Sequence, residues 1–285
     1  MNYELSNYEL IAQSLVHKFT SNQVTQFEDY LAVEEPLEIQ LRYGTPDNRQ
    51  RKSIAVTMRT PGNDAQLAIG FLFTEGIIFH PNQIVNTHTS NDESNHVIID
   101  LHPDTEFNIN QLHRHFYTTS SCGVCGKSSI EAIRTNITFD LASPPLHLPS
   151  TLLHTLPHTL RNAQTSFAQT GGIHAAGLFD TSGNLQIIHE DVGRHNALDK
   201  LIGTAFQQEL LPLNKHILLV SGRASFELVQ KALMAGIRVM AAVGSPSSLA
   251  VQLAEEYDMT LIGFLRDERF NVYTGAYRLT NEKNI

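Results

Sequence analysis

The chain has 285 residues, 41% of them hydrophobic, which is long enough for two domains that each bury a core. Its net charge of −9 excludes a global basic field for nucleic acid or an anionic membrane. No apolar run reaches the roughly 18 residues of a membrane span, and residues 1–19 lack a signal-peptide pattern. We therefore expect a cytoplasmic protein that binds no nucleic acid and does not insert into a membrane.

The beginning of the chain predicts a peripheral segment followed by strands. Residues 1–30 are weakly patterned and predict a tail or a short peripheral helix. Apolar and polar residues then alternate over 37–41. The same alternation runs over 54–58, with every second residue from Ile54 to Met58 on the apolar face. This period of two predicts two half-buried strands.

A helix and another strand follow in this N-terminal part. The turn residues at 60–63 lead into a helical stripe that ends at Gly76, and residues 97–99 predict a strand. We assign residues 31–145 to an N-terminal α+β domain.

The two cysteines of the chain, Cys122 and Cys125, lie three residues apart and are each followed by glycine. The small, polar flanks predict an exposed loop before a short helix over 128–136. A buried structural role is the alternative, because free cysteine is often a small core residue. In a reducing cytoplasm such a pair is more often catalytic or metal-binding than a permanent crosslink.

Three classes of chemistry are open for this pair. Two cysteines cannot form a structural Cys₄ zinc site within one chain. His174 lacks the following glutamate of a zinc deaminase, so we expect no metal. Thiolate chemistry remains, either disulfide exchange or the carriage of sulfur as a persulfide. The glycine-rich entry to a helix and Lys127 would lower the thiol pKa.

The second half of the chain opens with a helix and a hairpin. A linker at 142–145 precedes a helix over 150–170, in which Pro157 predicts a kink or a break. Strands at 176–179 and 185–188 flank turn residues and predict a hairpin.

Short, uninterrupted apolar runs then alternate with helices. The apolar runs span 217–220, 237–243 and 259–264. The helices span 193–210, 225–235 and 246–257, the last with Ser245 as N-cap and Pro246 at its first position. Such runs are typical of buried parallel strands with right-handed crossovers. We assign residues 146–285 to a C-terminal α/β domain and the chain to the α/β class.

Glycines and arginines follow these strands at their carboxyl ends, where ligands of open α/β sheets bind. The strands are followed by Ser221, Gly222 and Arg223, then by residues 244–246, then by residues 266–269. Glycine lets backbone N–H groups approach a phosphate, and arginine adds a bidentate donor. The pattern predicts a crevice for a nucleotide or pyrophosphate.

A polar cluster precedes the helix at 193–210 and leaves two interpretations open. Asp191, Arg194, His195 and Asn196 could cap that helix, or Asp191 and His195 could face the crevice as orienting or proton-transfer groups. His174 is either a core histidine or a residue of the same crevice.

Several recognisable blocks occur in order between Glu35 and Tyr277, so the match spans nearly the whole chain apart from its tails. They are Met58-Arg59-Thr60-Pro61-Gly62, Ala68-Ile69-Gly70-Phe71, Thr74-Glu75-Gly76, Ser121-Cys122-Gly123-Val124-Cys125-Gly126, Gly172-Ile173-His174-Ala175-Ala176, Glu190-Asp191-Val192-Gly193-Arg194-His195-Asn196-Ala197 with Asp199-Lys200, Ser221-Gly222-Arg223, and Gly263-Phe264 with Arg266, Arg269, Asn271 and Tyr273. With these blocks the chain resembles the FdhD family, the sulfurtransferases required for formate dehydrogenase activity.

The resemblance implies transfer of sulfur from a cysteine desulfurase to the molybdenum cofactor in its bis-molybdopterin guanine dinucleotide form. Cys122 would carry the persulfide and Cys125 would assist. The cofactor, or GDP as a mimic, would contact the segment 264–269, which begins at the end of the last predicted parallel strand and borders the strand-end crevice. The expected contact residues are Phe264, Leu265, Arg266, Asp267, Glu268 and Arg269, with Ser221, Gly222, Arg223 and His195.

The family further implies a homodimer, a formate dehydrogenase catalytic subunit as partner and a C-terminal part similar to the cytidine-deaminase fold without zinc. Two rival functions stay open. One is a cofactor-binding chaperone that moves no sulfur, and the other is a thiol–disulfide oxidoreductase.

Overall fold

The computed structural model describes residues 10–89, 95–105 and 146–281. The chain opens with an antiparallel hairpin of β1 (Ile11–Phe19) and β2 (Val24–Ala32). The short helix expected here is therefore wrong. Both faces of the hairpin are largely exposed, so no apolar alternation marks its strands in the sequence.

A four-stranded sheet with a covering helix forms the rest of the N-terminal part within residues 35–89 and 95–105. Its strand order is β4-β3-β6-β5. The elements are β3 (Glu35–Tyr43), β4 (Gln50–Arg59), α1 (Asp64–Thr74), a 3₁₀ turn (Pro81–Gln83), β5 (Ile84–Thr89) and β6 (His96–Leu101). The predicted strands and helix are confirmed. The predicted helix over 128–136 lies outside the described residues.

Strand β4 departs from the predicted alternation because the ladder with β3 shifts register in its middle. Ile54 is 4% exposed, whereas Val56 and Met58 are 51% and 39% exposed. A bulge moves every later side chain to the opposite face. The expectation of one apolar buried face is therefore wrong, and Arg59 is the residue that becomes buried.

The C-terminal part contains a six-stranded sheet of order β13-β12-β11-β10-β8-β9 and a separate two-stranded pair of β14 with β7. Its elements are β7 (Leu148–Pro149), α2 (Ser150–Ala163), α3 (Thr165–Thr170), β8 (His174–Phe179), β9 (Leu185–Asp191), α4 (Arg194–Gln207), β10 (Ile217–Val220), α5 (Phe226–Met234), β11 (Val239–Ala242), α6 (Ser248–Glu256), β12 (Thr260–Gly263), β13 (Asn271–Thr274), a 3₁₀ turn (Ala276–Arg278) and β14 (Leu279–Thr280). Strands β10, β11 and β12 are parallel, as predicted. Their apolar residues alternate between two cores, one on each face of the sheet.

Two helix boundaries differ from the predicted ones. The helix runs through Pro157 and breaks at Gln164, because α3 starts anew where the Glu190 carboxylate accepts backbone N–H groups. Helix α6 starts after Ser247, whose hydroxyl accepts from the N–H of Ala250 at 3.3 Å. The chain stays extended up to that point because the Ser247 N–H donates to the carbonyl of Ala224.

The two parts share one hydrophobic core, in which α1 packs directly on α4. A Cβ atom on Gly70 would lie 1.9 Å from the carbonyl oxygen of Asp199. A Cβ atom on Gly203 would lie 1.9 Å from the carbonyl oxygen of Gln66. Only glycine allows this approach of the two helices. The predicted domain boundary at 145–146 stays a prediction, as does the cytidine-deaminase likeness of the second part.

The helices in the described ranges are too short or too polar to cross a bilayer.

Candidate functional site

A cavity of about 710 Å³ opens at the carboxyl ends of the central strands. Ser221 follows β10, Val243 follows β11, and Leu265, Arg266 and Asp267 follow β12. This is the edge at which the sequence predicts a ligand crevice.

The opposite wall comes from α2, α3 and the turn before β8, and sequence patterns alone did not indicate it. It is made of Pro157, His158, Leu160, Arg161, Gln164, Phe167, Gly171, Gly172 and Ile173. Gly172 and Ile173 belong to the block that ends in His174-Ala175-Ala176, whereas no motif marks the residues of α2 and α3. The break between α2 and α3 that brings them together depends on the distant Glu190 carboxylate.

The strand-end residues after β10 serve different purposes. The Ser221 hydroxyl accepts the N–H of Ala175 at 2.8 Å, which ties β8 to β10 beside the cavity. The Gly222 carbonyl accepts the N–H of Gly244 at 2.9 Å. Arg223 is exposed, packs its backbone close to Gly244 and is not among the lining residues of the cavity.

The predicted segment 264–269 contributes Leu265, Arg266 and Asp267 to the lining, whereas Phe264, Glu268 and Arg269 are exposed and lie outside it. The Arg266 guanidinium donates through Nη1 to the carbonyls of Val243 at 2.7 Å and Leu265 at 2.9 Å. These bonds hold its positive charge at the edge of the cavity.

His195 does not line the cavity. It is 9% exposed, and its Nε2 lies 2.9 Å from Oε2 of Glu227 and 3.2 Å from Oγ of Ser225. Because Ser225 caps α5 and Glu227 lies in its first turn, His195 ties α4 to α5.

His174, by contrast, lines the cavity at the start of β8. Burial lowers the pKa of His174, and the neighbouring Arg194 and His195 lower it further, against the opposing effect of Asp191. The imidazole is therefore neutral at pH 7 and can both donate and accept hydrogen bonds.

Asp191 is fully buried and belongs to a structural network. Its carboxylate lies 2.7 Å from Nζ of Lys200 and accepts from the N–H of Thr60 at 3.2 Å, the N–H of Gly193 at 2.8 Å and the Asn196 amide at 3.1 Å. Burial raises the pKa of Asp191, against the effects of Lys200 and the other donors. This network joins the N-terminal part to α4, so Asp191 stabilises the fold, and its charge also raises the pKa of His174 at the cavity wall.

A second buried ion pair lies where α1, α4 and α5 meet. Lys231 Nζ donates to both carboxylate oxygens of Asp199, at 2.9 and 2.8 Å, and to Oγ1 of Thr74 at 2.9 Å. Sequence reasoning missed this pair because Asp199 and Lys231 lie in two separate predicted helices, and the block that contains Asp199 does not indicate its partner.

Across residues 10–89, 95–105 and 146–281, no group of three or more His, Cys, Asp or Glu is arranged to hold a metal ion. The pair Cys122 and Cys125 lies outside these residues, so its predicted role stays a prediction. The predicted contacts of the cofactor likewise stay predictions.

Comparison with known proteins shows which family the sequence matches. The family model described as FdhD/NarQ matches residues 32–280. The chain belongs to the FdhD/NarQ family. The resemblance drawn from the sequence blocks is thereby confirmed.

Curated members of the family match over almost their whole length. A protein named sulfur carrier protein FdhD from Streptomyces avermitilis is 47% identical, covering 93% of this chain and 94% of the relative. The protein of the same name from Mycolicibacterium paratuberculosis is 46% identical, covering 95% and 99%. The one from Sulfurisphaera tokodaii is 40% identical, covering 88% and 92%.

A solved structure supports the fold. A crystal structure described as a candidate formate dehydrogenase accessory protein from Desulfotalea psychrophila superposes with a TM-score of 0.71. The match covers 95% of this chain and 100% of that chain at 23% sequence identity. The predicted α/β class is confirmed.

Proposed function

We propose that this FdhD/NarQ protein is a sulfur carrier that takes sulfur from a cysteine desulfurase and delivers it to a molybdenum cofactor for formate dehydrogenase. The observation that carries the proposal is the 40–47% identity, over nearly full length, to proteins named sulfur carrier protein FdhD. The sequence supplies the chemistry that such a carrier needs in its single Cys-x-x-Cys pair.

Cys122 is the proposed carrier, with its thiolate holding one extra sulfur as a persulfide. Relay to Cys125 requires attack of the Cys125 thiolate on the terminal sulfur. The bond between the two sulfurs then breaks, and Cys122 leaves as a thiolate. Such a carrier needs reactive thiolates, and the sequence places the cation Lys127 and glycine-rich flanks beside the pair, which would favour that form.

The cavity is the proposed site for the acceptor, a bis-molybdopterin guanine dinucleotide treated as substrate. Its volume of about 710 Å³ lies within the range of small-molecule sites. Arg161 and Arg266 outnumber Asp267 among its charged lining residues, which favours an anionic ligand. Exposed Arg223 and Arg269 at the same sheet edge could contact its phosphates from outside the cavity.

The proposal also includes a homodimer in the cytoplasm that hands the cofactor to the catalytic subunit of formate dehydrogenase. The homodimer, the cytoplasmic location and the hand-over to the catalytic subunit rest on the expected behaviour of the family. Light scattering on the purified chain tests the oligomeric state.

The decisive experiment is complementation of a strain that lacks its own family member. The wild-type chain should restore formate dehydrogenase activity, and Cys122→Ala should abolish it. Cys125→Ala is the matched control for loss of a thiol from the same Cys-x-x-Cys pair, and it should retain more activity. Full activity with Cys122→Ala would remove the carrier role and favour a chaperone that moves no sulfur.

A further inference from the structure

The helix wall of the cavity contains a buried amide with an unused donor. Gln164 is 4% exposed, lines the cavity and lies at the break between α2 and α3. Within the described part of the chain, its Nε2 has no hydrogen-bond partner. Buried donors in native proteins are almost always satisfied, so an unpaired one at a cavity wall points to a ligand acceptor.

The turn that carries Gln164 is held in place from the sheet. The carboxylate of Glu190, on β9, accepts the N–H of Ser166 and the N–H of Phe167, both at 2.9 Å. Because these bonds fix the first turn of α3, Gln164 is positioned before any ligand arrives. A preorganised donor of this kind adds affinity at low entropic cost.

A planar stack lies beside the amide. The guanidinium carbon of Arg161 lies 3.9 Å from the ring centroid of Phe167, and both residues line the cavity. Leu160 and Leu265 are buried and supply apolar lining. Planar guanidinium and aromatic groups are the usual stacking partners of heteroaromatic rings.

We propose that Gln164, Arg161 and Phe167 form a ring-recognition subsite. It takes a planar heteroaromatic ring that carries a carbonyl or ring-nitrogen acceptor at its edge, as a purine base does. The Gln164 amide donates to that acceptor while the ring lies against the Arg161–Phe167 stack. The inference rests on the proposed function and assigns the base end of the dinucleotide to the helix wall.

The test is calorimetry of GDP and of inorganic pyrophosphate on the full chain, with the melting temperature recorded for each variant. Gln164→Leu should weaken GDP binding at least about tenfold, because the base loses the hydrogen bond that the buried Gln164 amide donates to it. It should leave pyrophosphate binding unchanged. Its melting temperature should equal or exceed that of the wild type, since an unpaired buried donor is removed.

Two further variants sharpen the result. Gln164→Glu replaces the donor by an acceptor at nearly constant size and should show the same loss for GDP. Gln252→Leu, on the exposed side of α6, is the matched control and should bind GDP as the wild type does.

Unchanged GDP affinity in Gln164→Leu, or an equal loss for pyrophosphate, would overturn the subsite. A wild-type chain that binds neither probe would overturn the subsite and the cofactor cavity together. Sulfur loading of Cys122 is a separate readout, which Gln164→Leu should leave unchanged. A subsite that fails while sulfur loading persists therefore leaves the proposed carrier role intact.

Discussion

Two buried polar regions of this protein differ in how completely their hydrogen bonds are made. One is the seam between the N-terminal and C-terminal parts, formed by the Asp191–Lys200 and Asp199–Lys231 pairs and their partners. The other is the helix wall of the cavity, where the Gln164 donor has no partner in the described part of the chain. Completed bonds in the seam fix the fold, whereas an open donor at the cavity is available to a ligand.

The two ion pairs of the seam also differ from each other. Without its lysine, Asp191 would keep three donors, from Thr60, Gly193 and Asn196. Asp199 would keep only the Thr74 hydroxyl among the hydrogen bonds in the described ranges. Replacing the lysine should therefore lower the free energy of unfolding by different amounts in the two pairs.

The largest loss of stability should come from adding a side chain between the closely packed helices α1 and α4. Gly70→Ala or Gly203→Ala would drive a methyl group into backbone atoms at 1.9 Å, so the helices must separate. We expect a loss of more than about 3 kcal/mol in the free energy of unfolding, measured by urea denaturation. Gly172→Ala is the control, because its Cβ would meet nothing closer than 3.8 Å. Equal stability of Gly203→Ala and wild type would contradict the close packing of the two parts.

The next largest effect should separate the two ion pairs. Lys231→Met should lower the free energy of unfolding by about 3–5 kcal/mol, because it leaves the Asp199 carboxylate buried with one donor. Lys200→Met should cost less, since Asp191 keeps three donors. The double variant Asp199→Leu with Lys231→Met should recover much of the loss. An equal cost for the two lysines in urea denaturation would contradict this ranking.

A smaller effect should appear as pH dependence at His189, which packs against α4. The Thr204 hydroxyl donates to the carbonyl of Lys200, so it accepts from His189 Nε2 at 2.8 Å. Burial, and then the charge of Lys200, lower the pKa of His189 to about 4. The unfolded chain takes up this proton below about pH 6.5 and the folded chain does not. Stability should therefore fall as pH drops from about 6.5 to 4, by at most about 1.4 kcal/mol per pH unit.

His189→Gln isolates this contribution, because the other histidines titrate in both proteins. The difference in unfolding free energy between the variant and the wild type should change across that pH window in favour of the variant. A difference that stays constant with pH would show that His189 does not titrate as described.

Sequence patterns predicted the central strands and the sheet edge at which the cavity opens, because buried parallel strands leave uninterrupted apolar runs. They failed where a distant contact decides the local structure. The bulge in β4 exposes Val56 and Met58, and the Glu190 carboxylate moves the helix break from Pro157 to Gln164. The helix wall of the cavity was missed for the same reason, since its residues meet only through that break.

The carrier role is tested most directly by mass spectrometry of the intact chain after incubation with a cysteine desulfurase and cysteine. The wild-type chain should gain one sulfur atom that a thiol reductant removes, and Cys122→Ala should gain none. A wild-type chain that stays unmodified, or a Cys122→Ala chain that loads as the wild type does, would contradict the account.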